Sequence, residues 1–207
     1  TLTGRRDAPA PIRAEAEIAP GLSLGFRQGV SLPAMEAAGP ARPPGDLLSL
    51  VEGGRAVTAG LDLGTVQISA FSAARTQRGA RSQAGAVALS AGAEGWRGSL
   101  GFALLEEEAG LLGGRWDIRF AQPPATESRA LTLALAARPR PGLELTLTAQ
   151  QARLTQTNLG VALSLAAPIT ASAFALGGLW RTGAGDWQLS LEQPLRVESG
   201  AFALSLP

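Results

Sequence analysis

Large apolar side chains occupy every second position through most of the chain, in short runs broken by glycine, proline or polar clusters. The runs are Val57/Ala59/Leu61/Leu63, Val66/Ile68/Ala70, Val87/Leu89, Leu100/Phe102, Leu131/Leu133/Leu135, Leu143/Leu145/Leu147, Val161/Leu163/Leu165 and Phe174/Leu176, then Trp187/Leu189/Leu191 and Phe202/Leu204/Leu206. Successive side chains of a strand point to opposite faces, so this period reads as strands with one buried face. Turn residues fall between the runs, at Gly53 and Gly54, at Gly79, and within residues 92–95, 139–142 and 182–186. The pattern predicts an all-β fold, an antiparallel meander of roughly ten to twelve short strands, barrel-like, with a soluble β-sandwich as the alternative. Its last two runs are separated by Pro194 and by Ser199 and Gly200, and read as a closing hairpin.

Two stretches depart from the pattern. Residues 1–47 are rich in alanine and proline and read as edge strands and loops, with residues 35–45 as an exposed connection, because proline cannot donate to a ladder. The main antiparallel domain then runs over residues 48–207, and the whole is one domain, as 207 residues allow. The second departure is residues 104–114, where Leu104, Leu105, Glu108, Leu111 and Leu112 predict one side of a short helical turn stopped by Gly113 and Gly114.

Composition narrows the chemistry. The chain has no His, Cys, Tyr or Lys, so all 18 cationic residues are arginine, set against 17 acidic ones. Without His or Cys there is no Ser-His-Asp triad, no thiolate nucleophile and no zinc or iron site of nitrogen or sulfur ligation, and without Lys no amine base. Ser172 and Ser199 have no base to activate them, and the scattered Asp46, Asp62, Asp117 and Asp186 match no calcium loop. The expectation is a chain with no catalytic residue, no cofactor and no metal. The acidic triplet Glu106, Glu107 and Glu108 reads first as a solvated face and only weakly as an acid/base pair, since one run in sequence does not place two carboxyls across a cleft. A net charge of +1 gives no electrostatic case for nucleic acid.

The four tryptophans are better marked. Trp96, Trp116, Trp180 and Trp187 each neighbour a charged residue and lie near the end of an alternating run. In a soluble sheet such residues pack at strand ends with the ring N–H hydrogen-bonded; in an outer-membrane barrel they form aromatic girdles. Alternation does not choose between these, because a barrel in lipid and a sandwich in water both place apolar residues at every second position.

Three segments carry a resemblance: residues 104–113, residues 172–177, and residues 189–200 with Gln193, Pro194, Leu195, Arg196 and Glu198. Their order and spacing resemble the C-terminal β-domain of autotransporter-like subtilisin-type serine peptidases of alphaproteobacteria, over residues 100–207. The resemblance implies a β-rich region following a secreted protease domain whose Asp, His and Ser lie upstream in the same precursor, of which this chain would be a fragment. The expected function is then non-catalytic: a domain that anchors, exports or stabilises the protease at the bacterial outer membrane or outside the cell. The alternative is a soluble secreted β-domain that binds a protein partner, or a glycan through Trp96 or Trp116.

Overall fold

The fold comes from a computed structural model, which describes residues 11–29, 51, 53–77, 80–108, 110–111, 114–115, 125–158, 163–183 and 185–204. The strands are β1 (Ile12–Ala19), β2 (Leu22–Gln28), β3 (Arg55–Asp62), β4 (Val66–Gln77), β5 (Ala80–Ala93), β6 (Trp96–Glu108), β7 (Gly110–Leu111), β8 (Gly114–Arg115), β9 (Ala125–Arg140), β10 (Leu143–Asn158), β11 (Leu163–Thr182) and β12 (Gly185–Leu204). Ten of them form one antiparallel sheet in the order β1-β2-β3-β4-β5-β6-β9-β10-β11-β12, and β7 pairs only with β8. The protein is all-β, and the main sheet is a meander of sequence neighbours, the arrangement that alternating runs with short turns predict. Among the described residues no pairing joins β1 to β12, so the sheet has two edges.

Two local expectations are corrected. Residues 104–108 continue β6 rather than starting a helical turn, with Leu104 opposite Arg129 and Leu105 opposite Ser128. Adjacent leucines suit a strand here because both faces accept them: Leu104 is exposed on one face and Leu105 fully buried on the other. Residues 185–204 are likewise one strand rather than a hairpin. Gln193 pairs with Phe174 and Arg196 with Ser172, so Pro194 and Leu195 together oppose Ala173 in a β-bulge. An edge-strand bulge is where a proline's missing donor is tolerated. The other suspected turn residue, Gly200, lies in a second irregularity, between the pairs Ala167–Ala201 and Thr170–Ser199.

The hairpins at one end of the sheet are short and form a stair. Leu22 lies opposite Leu61 and β3 runs on to Asp62; Val66 lies opposite Ala91 and β5 runs on to Ala93. Trp96 lies opposite Ala137 and β9 runs on to Arg140; Leu143 lies opposite Trp180 and β11 runs on to Thr182. A turn carbonyl accepts a backbone hydrogen bond from each overshooting strand: Asp62 N–H to Gly21 O at 2.7 Å, Gly92 N–H to Thr65 O at 3.1 Å, Arg138 N–H to Gly95 O at 2.7 Å and Arg181 N–H to Gly142 O at 2.7 Å. The overshoot is about two residues per hairpin, or one rise of ~3.3 Å for each strand spacing of ~4.8 Å, which slants the turn line by roughly 35° from the perpendicular to the strands.

Candidate functional site

The two faces of this sheet are sorted by size, and the large side chains are on the exposed one. In one register row, Leu22, Leu61, Ile68, Leu89, Leu100, Leu133, Ala149 and Phe174 follow one another across eight strands. Rows on either side add Val57, Val87, Phe102, Leu131, Leu135, Leu145, Leu176, Leu189 and Leu191, all exposed, with Leu189 78 % so. Isolated exposed leucines are ordinary, but a contiguous apolar surface of this extent is of the kind found at membrane and partner interfaces.

The opposite face is buried and small. Ala86, Ala103, Ala130, Ala152 and Ala171 stand in register on five consecutive strands, and Ala130 is 2 % exposed. Around them lie buried Ala56, Ala73, Ala84, Ala134, Ala173 and Ala175, with Leu105, Leu154, Ile169 and Phe71 as the larger side chains and Val51 and Leu195 packed into the same cluster. Thr126, Ser128, Thr146, Thr148 and Gln150 are buried on this face too, and Gln150 Nε2 donates to Thr132 Oγ1 at 3.0 Å.

The apolar face has two distinct borders. At the short-turn end stand Trp96, Trp180 and Trp187, all exposed, with Trp180 directly opposite Trp187. The Arg140 guanidinium lies 5.6 Å from the Trp180 ring centroid, and the hairpin carries the weak ion pair Arg181–Asp186 at 3.9 Å. At the other end charge replaces leucine: Glu106 and Glu127 oppose each other, as do Arg129 and Arg153. Arg129 Nε donates to Glu127 Oε1 at 2.8 Å. Along β6 the apolar stretch from Trp96 to Leu104 matches the roughly 9–11 residues with which a tilted strand crosses a bilayer core.

Strand alternation separates the acidic triplet: Glu106 and Glu108 are on the exposed face and Glu107 is buried on the other. Among the described residues no group of three acidic side chains is placed to hold a metal ion. Trp116, Asp46 and Asp117 lie outside the described residues. Of the residues carrying the resemblance, Gln193, Pro194, Arg196 and Glu198 follow β12 along the bulge while Leu195 packs inward. Ser172 Oγ donates to Glu198 Oε1 at 2.7 Å and accepts from Gln193 Nε2 at 3.3 Å, so it is a ladder residue in a polar contact. The border residues Arg129 and Arg153 were not singled out from sequence, although Arg129 directly precedes the run Leu131/Leu133/Leu135 on its strand. A cleft of about 220 Å³ near the short turns is lined by Asp62, Gln67, Ser90, Trp96 and Arg97, among others.

Comparison with protein-family models, with curated proteins and with solved structures found no match for this chain.

Proposed function

We propose that this sheet is the wall of a β-barrel in a bacterial outer membrane, a non-catalytic domain that anchors, exports or stabilises an attached domain at the cell envelope. The observation that carries it is the inversion of the two faces: large apolar side chains outward and exposed, alanine and hydroxyl side chains buried. In water the hydrophobic effect drives the opposite arrangement, since each buried leucine contributes about 1.5–3 kcal/mol. A lipid-embedded barrel calls for this one, with an apolar outer band and a more polar interior. Small side chains on one face let a sheet curl toward it, and the stair of turns has the slant that strands in closed barrels show, about 35–45°. Short turns at one end with tryptophan at that border also fit. On the resemblance of residues 100–207, the attached domain is a subtilisin-type serine protease encoded upstream in the same precursor, and the chemistry is its own.

The test is heat-modifiable migration of the refolded protein on a gel together with quenching of its tryptophan fluorescence by lipids brominated along the acyl chain. Compact migration before boiling and depth-dependent quenching are expected; a folded monomer that stays in solution without detergent overturns the reading. A second reading, a soluble domain that binds a partner or glycan beside Trp96, is favoured by the cleft there. Ligand binding lost in Trp96→Ala by a detergent-free monomer selects it.

A further inference from the structure

Above the apolar face, strands β9 to β12 carry a polar patch that the barrel wall itself does not require. Its cations are Arg129, Arg153 and Arg196. Arg129 and Arg153 are direct cross-strand partners, Arg153 also faces Thr170, and Arg196 faces Ser172. Direct partners share a face, so the three arginines and the two hydroxyl residues lie on the exposed side of the sheet, with Thr170 Oγ1 2.6 Å from Ser199 Oγ. Like charges directly opposite on a strand pair are destabilising, and Arg153 and Arg196 make no ion pair among the described residues. Two acids lie nearby: Glu127, which is paired with Arg129, and Glu198, which accepts from Ser172 and keeps its charge. Arg153 and Arg196 stand two strands apart, roughly 10 Å across the sheet, a gap that two extended arginine side chains close from either side.

Below the patch β9 and β11 turn apolar at once, and β10 and β12 do so after Gln151 and Gln193. Phe174 follows Ser172 by one step of alternation on β11, with Leu147 opposite the next residue of that face, Leu176. A ligand with an anionic head at the arginines and a hydrocarbon body therefore finds both parts matched along one line of the sheet. Arginine forks recognise phosphate oxygens bidentately.

We propose that this patch binds the phosphate of an anionic phospholipid whose acyl chains lie over Phe174 and Leu176. The site rests on the membrane reading given above. Native mass spectrometry of the detergent-refolded chain, titrated with phosphatidylglycerol and separately with phosphatidylcholine, tests it. The wild type is expected to retain phosphatidylglycerol preferentially. At about fivefold for each guanidinium near an anionic surface, the double variant Arg153→Gln/Arg196→Gln loses roughly twenty-five-fold of that preference, while Arg153→Lys/Arg196→Lys keeps part of it. Heat-modifiable migration of both variants establishes that they fold, and loss of the wild-type preference in high salt gives a second readout that needs no variant.

Equal retention of the two lipids by a heat-modifiable protein overturns the site and leaves the membrane reading standing. Displacement of the lipid by millimolar inorganic phosphate overturns it in favour of a free-anion site. A chain that never assembles in detergent or bilayer overturns both.

Discussion

Phe102 and Ala103 are neighbours in β6, yet the phenylalanine is exposed and the alanine is 3 % exposed. The same opposition repeats from strand to strand: Leu131 against Ala130, Leu135 against Ala134, Leu176 against Ala175. In a protein whose stability comes from withdrawing apolar area from water, the larger member of each pair belongs inside. Here the smaller member is inside, together with Thr148 and Gln150, so the two faces must be judged against different surroundings. The buried face obeys packing rules, where one extra methylene is felt. On the barrel-wall proposal the exposed face obeys a solvent rule instead, in which a side chain fits because its medium is apolar.

The largest effect should come from breaking the solvent rule at its centre. Leu133 stands mid-row on the exposed face, between Leu100 and Ala149. Leu133→Arg is expected to cost about 2–4 kcal/mol when unfolding is followed in bilayers, the usual penalty for arginine at a bilayer midplane. In a water-exposed sheet the same change stays within about 0.5 kcal/mol. Urea titration in vesicles, read by tryptophan fluorescence, separates the two, and a neutral result would overturn the proposal that this face meets lipid.

The packing rule is tested one position along the neighbouring row. Ala130→Leu adds a branched side chain where Ala103 and Ala152 are its register partners. Overpacking of about 1–3 kcal/mol is expected, seen as a lower denaturation midpoint at unchanged slope. Adding the same leucine at Ala149, on the other face, should cost far less, and equal costs at the two positions would mean that the alanine row is not a packing constraint.

How much of this was legible in sequence follows from the same contrast. Strand positions were, because period two survives in either medium: most of the alternating runs lie within a single strand, and Gly95 and Gly142 turn where punctuation placed them. The face was not, because Leu131/Leu133/Leu135 reads identically whether it meets a core or a lipid. Residues 104–108 were misread because Leu104 and Leu105 occupy both phases, which only a sheet with two tolerant faces permits. Pro194 and Gly200 were misread as turn signals because a bulge becomes visible only against its partner strand. The alanine row was in the letters, but seeing Ala86, Ala103, Ala130, Ala152 and Ala171 as one line requires the register. Trp96, Trp180 and Trp187 stood out in sequence and do share a border, while Arg129 and Arg153 gained meaning only as opposed residues.

The smallest expected effect lies in the stair of turns that sets how the two faces slant, and a pair of glycines isolates it. Gly64 and Gly142 both turn with positive φ, 85° and 79°, so alanine is strained at either. At Gly64 an added Cβ meets nothing within 4 Å, whereas at Gly142 it would lie 2.7 Å from the Arg181 carbonyl oxygen. Gly64→Ala therefore reports the backbone strain alone, about 1–2 kcal/mol. Gly142→Ala adds a push on the strand whose Arg181 N–H donates to Gly142 O. The difference between the two thermal midpoints, about 1 kcal/mol in free energy for one weakened backbone hydrogen bond, is the contribution of a single step of the stair. Equal midpoints would show that the step relaxes freely, and the slant of the apolar face would then have to be fixed by packing of the alanine row rather than by the turns.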